Sequence, residues 1–168
     1  MIGIVINNVI RFIVLILLQV LVLNNVQLHG TINPQFYLLF ILLLPIEIPK
    51  WALLILSFTL GLTIDAFNDT LGMHAIACTF AGFIRPTVIN LLTPRGGYEN
   101  QPVPRIKELG LKWFATYVAI MIVSHHLVLF YVEVFRWNEF FITFWRALVS
   151  SFFTAILVIL SQYLFARK

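Results

Sequence analysis

The chain has 168 residues with 11 Lys and Arg against 7 Asp and Glu, a formal net charge of +4. Hydrophobic residues make up 61% and charged residues 11%, with mean hydropathy +0.97, whereas a soluble domain carries about 25% charged residues. This leaves no room for a separate soluble module, and basic residues scattered along the chain argue against a nucleic-acid surface, which needs one basic patch with interleaved aromatics.

Six apolar segments follow in chain order, at roughly 9–23, 34–46, 51–64, 70–92, 113–132 and 147–166. They read as one all-α integral membrane domain over residues 1–168, a compact bundle of six transmembrane helices, because helices satisfy their own backbone in lipid. The first segment ends at Leu23-Asn24-Asn25 without a small-residue cleavage pattern, so it reads as a retained span. The second and third are short. Asn33-Pro34 reads as a cap followed by a proline in the first turn, and Pro49 as a similar start. A re-entrant hairpin of these two would leave four crossings. It would also put Glu47 and Lys50 deep in the membrane, at about 2.5–3.5 kcal/mol each, so six crossings are expected. The fifth and sixth segments hold about 20 residues without a formal charge, the length that a hydrocarbon core of ~30 Å requires.

Threaded from a cytoplasmic N-terminus, Arg11, Lys50, Arg85, Arg95, Arg105, Lys107, Lys112, Arg167 and Lys168 fall inside, and only Arg136 and Arg146 outside. The asymmetry follows the positive-inside rule and puts both termini in the cytoplasm. Trp113, Trp137 and Trp145 fall at span ends, where amphipathic rings prefer the interface. The stretch 93–111, with Pro94, Gly96, Gly97, Pro102 and Pro104, reads as an irregular cytoplasmic loop whose cations set topology; a docking surface is the alternative.

The polar residues between and inside the spans carry the functional candidates. Asp65 and Asp69 flank the junction of the third and fourth segments. Asn68 or Asp69 is expected to cap the fourth helix, and on that reading Asp69 is a cap. Asp65 either ends the third at the outer boundary or lines a polar interior, bonded to the amides of Thr70, Leu71 or Gly72. His74 and Cys78 share a helical face, but two ligands without a third and fourth are a weak metal signal, and no metal or cofactor is expected. Ala77 with Ala81 and Cys78 with Gly82 form small-xxx-small pairs, a face for close helix packing within the chain or against a partner's single span. Arg85 is expected to snorkel to the cytoplasmic face, with Pro86 distorting or ending the helix. His125 and His126 point about 100° apart on a helix, so they do not readily share one ion. One of them is expected to face a polar interior or the outer interface, and a proton relay with Asp65 is a weaker reading. No catalytic motif is present in the sequence, so an enzyme is not expected. Cys78 is the single cysteine and forms no intrachain disulfide.

Six short spans, with Gly61-Leu62-x-x-Asp65 closing the third, Leu71-Gly72 opening the fourth, and Gly82-Phe83 after them, resemble the MreD family of rod-shape-determining proteins. The resemblance implies a non-enzymatic inner-membrane subunit of the bacterial elongation complex that directs sidewall peptidoglycan synthesis and maintains cell shape. It implies MreC as the partner, with the MreB filament and the elongation glycosyltransferase and transpeptidase beyond it. Gly61, Asp65 and Gly72 match the family's pattern, which assigns them no chemistry. The runner-up is a substrate-binding subunit of an energy-coupling-factor vitamin transporter, which MreD resembles as a small six-helix bundle. Those subunits typically carry an Ala-x-x-x-Ala docking face in the first helix, and the first segment here has no alanine.

Overall fold

Long apolar runs without an internal breaker become long helices, and breakers fall between them. The computed structural model describes residues 2–25, 33–98, 103–135 and 137–165. Among these, α1 (Ile2–Leu21), α2 (Leu39–Leu42), α3 (Lys50–Asn68), α4 (Met73–Leu91), α5 (Ile106–Leu109), α6 (Leu111–Val134) and α7 (Phe140–Phe165) are joined by three short 3₁₀ turns, with no strand. Four stretches are long and apolar enough to cross a membrane: Val5–Asn25, Lys50–Asn68, Leu111–Val134 and Phe140–Leu164. α4 equals α3 in length, at 19 residues or about 28 Å, but His74, Arg85 and Asn90 make it less apolar.

The second expected span is not a transmembrane helix. Only a 3₁₀ turn at Phe36–Leu38 and the four residues of α2 are helical there, so the helix starts two residues after Pro34. Tyr37 through Leu44 are 0–5% exposed. A segment enclosed on all sides by other helices does not have to match lipid thickness, and irregular backbone at membrane depth is tolerated where protein buries it. Pro49, expected inside the first turn of the third span, is instead the N-cap of α3.

Side-chain contacts fix the direction of each element. Gly61 of α3 packs on the backbone of His74 and Ala75, and Gly82 of α4 on Ser57, so α3 and α4 are antiparallel. Tyr117 and His125 of α6 meet Arg85 and Cys78 of α4, again antiparallel. Tyr131 meets Phe140 and His126 meets Thr154, which reverses α7 against α6. The central segment runs parallel to α4 and α7, since Gln35 meets Thr154 and Leu44 meets Arg85. α1 runs against it, with Gln19 at Pro34 and Arg11 at Leu43. Six successive segments, α1, the central segment, α3, α4, α6 and α7, therefore alternate in direction, with five reversals between them. Arg11, Lys50, Arg85, Arg95, Arg105, Lys107 and Lys112 lie toward one end, and Asp65, Asp69, Glu133 and Arg146 toward the other. Arg136, Arg167 and Lys168 lie outside the described residues.

Several boundaries shift from the sequence reading. α7 begins at Phe140, so Arg146 lies inside the helix, stacked 5.3 Å over the Phe130 ring, and not ahead of it. The 93–111 loop is not wholly irregular, because α5 interrupts it. Its first part is tied down by Tyr98, which donates to Ile89 O at 2.6 Å, and by Trp113, whose Nε1 donates to Leu92 O at 2.6 Å. Burial pushes the Tyr98 phenol above its ordinary pKa. Pro86 does not end α4: the helix continues to Leu91, and buried Val88 and Ile89 pack its last turns into the core. That packing offsets the ~3 kcal/mol an internal proline costs.

Candidate functional site

Two buried charges on the α3–α4 hairpin organise the polar interior. Asp65 is 3% exposed. α3 ends when Asp69 adopts a left-handed conformation (φ 53°), with its N–H bonded to Asp65 O. Gly72 (φ 84°) then turns the chain into α4 without a side-chain cap of its own. Asp69 is therefore the C-cap of α3 and not the N-cap of α4, because the αL residue needed to reverse the chain falls on it. The capping is done from four residues earlier. Asp65 Oδ1 accepts from His74 N at 3.0 Å and from the Thr70 hydroxyl, and Oδ2 accepts from Ala75 N at 2.8 Å. The amides engaged are those of His74 and Ala75, one turn beyond the expected Thr70–Gly72, since the first free N–H groups of a helix lie in its first turn. A carboxylate there also meets the positive end of the α4 dipole. His74 Nδ1 lies 2.9 Å from Asp65 Oδ1, which assigns the ring proton to Nδ1 against an acceptor-only carboxylate.

Arg85 is 1% exposed and does not snorkel. Its Nε donates to Tyr117 Oη at 2.9 Å, Nη1 to Pro45 O at 3.3 Å, and Nη2 to Leu44 O. Tyr117 Oη donates in turn to Leu42 O at 3.2 Å. These carbonyls are the orphans at the C-terminal end of the short central helix, so a guanidinium replaces the missing turn and meets the negative end of its dipole. The opposite end is capped as fully: Phe36 N donates to Gln19 Oε1 at 2.9 Å, and Gln35 N to Thr154 Oγ1 at 3.1 Å.

Between the two charges lies a buried polar chain that sequence reasoning only partly assembled. Tyr37 Oη is 3.3 Å from His125 Nε2, and Cys78 Sγ is 3.7 Å from the same nitrogen. His126 Nε2 is 3.2 Å from Thr154 Oγ1. Both histidines are fully buried, neither facing the outer interface, and His125 Nδ1 has no partner among the described residues. At the Asp65 end, Gln19, Asn24 and Asn68 are linked in sequence, at 3.0 and 2.6 Å, along a cleft of about 290 Å³ that His74 and Glu133 also line. Among the described residues no group of three or more metal-ligating side chains is brought together.

Of the small-residue face, Ala77, Cys78 and Ala81 are 0% exposed. Gly82 meets Ser57 and Gly61 meets the α4 backbone, so the face is the seam inside the hairpin and is not open to a partner's span. Sequence reasoning missed Gln19, Tyr37 and Tyr117, and offered Asn68 only as a candidate N-cap of the fourth helix, whereas it is the last residue of α3 and accepts from Asn24. The signal for Gln19 was present, as a lone amide in the middle of the first apolar run. The tyrosines carried none, since their hydroxyls bond partners 75 and 88 residues away. No known protein family, curated protein or solved structure matches the chain.

Proposed function

We propose that this chain is a non-enzymatic membrane scaffold of the MreD type, which holds a bitopic partner of the MreC kind within the cell-elongation complex of a bacterial inner membrane. The observation that carries the reading is α1. Its span has the highest mean hydropathy of the four candidates, 2.3, yet only 17% of it is buried within the chain. Val5, Val9, Ile13 and Leu17 are 48–62% exposed along one stripe, a surface that lipid or another protein's single span covers. In the interior beside it the two buried charges, Asp65 and Arg85, are bonded within the chain, which leaves the α1 stripe as the surface open to a partner. The alternating directions and the basic end support six crossings with that end in the cytoplasm.

A photo-crosslinker at Ile13 should capture a bitopic protein with a large periplasmic domain, and the same protein should co-purify from membranes. Single cysteines at Gly96 and Asn138, in a Cys78→Ser background, should label only from the cytoplasmic and periplasmic sides respectively. Labelling of both from one side refutes the topology, and purification without a partner refutes the scaffold.

The second reading, a substrate-binding subunit of the energy-coupling-factor type, is favoured by the amide-lined cleft alone. Its volume, about 290 Å³, sits below the roughly 300–1,000 Å³ of ordinary ligand pockets. A vitamin retained through purification would reverse the order of the two readings.

A further inference from the structure

A second cleft, of about 570 Å³, opens at the basic end between α1, the central segment, α5 and α7. Its walls are apolar, formed by Ile10, Val14 and Leu18 of α1 with Phe36, Leu39 and Leu43 opposite them. Its mouth is not: Arg11, Arg105 and Lys107 converge there against one carboxylate, Glu108. Arg11 spends Nη1 on Asn8 Oδ1 and Leu43 O, both at 3.1 Å, and its remaining N–H groups have no partner among the described residues. Arg105 lies close enough to Arg11 for the two guanidinium charges to repel each other. None of these three cations has a carboxylate of the described residues within bonding distance. Glu108 Oε2 is itself buried without a hydrogen-bond partner. The backbone that carries Arg105 and Lys107 is anchored, because Val103 and Ile106, on either side of Arg105, pack against the hydrophobic core.

From this arrangement we propose that the cleft is a binding site for an anionic phospholipid, with an acyl chain along the α1 groove and the phosphate among Arg11, Arg105 and Lys107. An apolar slot that ends in an excess of two unpaired cations matches the two halves of such a lipid, and basic pockets between helices at a cytoplasmic face bind acidic headgroups. Inorganic phosphate would satisfy the mouth but leave the slot exposed, and a neutral lipid would do the reverse. The inference needs only membrane insertion and does not depend on the scaffold reading. The groove positions 10, 14 and 18 are also distinct from the stripe at 5, 9, 13 and 17.

The test uses the purified full-length protein in detergent, with native mass spectrometry and thermal melting. Dioleoyl-phosphatidylglycerol should be retained in preference to dioleoyl-phosphatidylcholine and should raise Tm, and inorganic phosphate at equal concentration should not. Each cation near an anionic headgroup strengthens binding roughly fivefold, so Arg105→Gln with Lys107→Gln should weaken phosphatidylglycerol retention about 30-fold. Both side chains are exposed and make no bond within the fold, so the variant should melt normally without lipid. Arg95→Gln with Lys112→Gln, basic residues at the same end but outside the cleft, should leave retention unchanged. Equal retention of the two lipids overturns the proposal, as does an unchanged preference in the Arg105/Lys107 variant. An equal loss in the Arg95/Lys112 variant overturns it in favour of general surface charge, and stabilisation by phosphate alone in favour of a free-anion site. A protein segment crosslinked at Val14, with no lipid preference, overturns it in favour of a protein occupant.

Discussion

Asp65 caps the first turn of α4 and Arg85 lies about 17 Å further along the same helix, and they solve the same problem in different ways. Each is a buried charge without a full counter-ion, and each survives burial by bonding backbone groups that a helix end leaves unsatisfied. Asp65 serves its own hairpin, with partners five to ten residues away. Arg85 serves another part of the chain, with carbonyl partners 40 and 41 residues away. The first is a local cap. The second is a tertiary lock that lets a helix of a few residues exist in the middle of the bundle.

If that distinction holds, Arg85→Leu has the largest effect of any single change. It takes the Arg85 donor from the buried Leu44 carbonyl, the partly buried Pro45 carbonyl and the Tyr117 hydroxyl, which keeps only its bond to Leu42 O, and a buried group stranded in this way costs roughly 1–3 kcal/mol. Relief from desolvating one charge offsets part of this. A net loss of about 3–5 kcal/mol is expected, read from unfolding in mixed micelles. A loss below about 1 kcal/mol would mean that the central segment holds its shape without the guanidinium.

Asp65→Asn comes next and sharpens the contrast. An amide offers one oxygen where the carboxylate uses two, so Nδ2–H must face either the Ala75 N–H or the donors on the other side. The expected cost is about 2–3 kcal/mol, from one stranded donor and the lost dipole interaction. Membrane insertion should be intact and partner recovery reduced. Full stability together with full partner recovery would leave Asp65 with no role beyond filling its site.

The same contrast explains what was legible in the sequence. Asp65, Gly61 and Gly72 lie in one local pattern, and local chemistry placed the carboxylate at the hairpin junction, missing the cap only by one turn. Asp69 was misassigned because Asn and Asp favour both N-caps and left-handed C-caps, and the neighbouring Gly72 does not decide between them. Arg85 was assigned to snorkelling because nothing near it in sequence offers acceptors. Its partners lie in a segment that looked like a span in its own right, since a wholly apolar run reads alike whether lipid or protein surrounds it. Long-range partners decide which of those it is, and one sequence does not display them.

Tyr117→Phe tests the tertiary lock without removing its charge. The hydroxyl accepts from Arg85 Nε and donates to Leu42 O, so its loss leaves one donor and one acceptor unpaired in a fully buried place. A cost of about 1–2 kcal/mol is expected. The double variant Arg85→Leu/Tyr117→Phe should then cost clearly less than the sum of the two singles, because the pair acts as one unit. Additive costs would separate the tyrosine from the lock.

The smallest effect is expected at the corresponding hydroxyl of the local cap. Thr70 donates to Asp65 Oδ1, as Tyr117 serves Arg85, but it sits at a half-exposed turn. Thr70→Val keeps the shape and removes the donor. Asp65 retains the amides of His74 and Ala75 and the His74 ring, and water can reach the vacated side of the carboxylate. The loss should therefore be no more than about 1 kcal/mol, the net worth of one replaceable hydrogen bond. Its coupling to Asp65→Asn should be correspondingly weak, where Tyr117 and Arg85 couple strongly. If Thr70→Val instead costs as much as Tyr117→Phe, water does not reach Asp65. The cap is then as enclosed as the lock, and the two charges differ only in how far along the chain their partners lie.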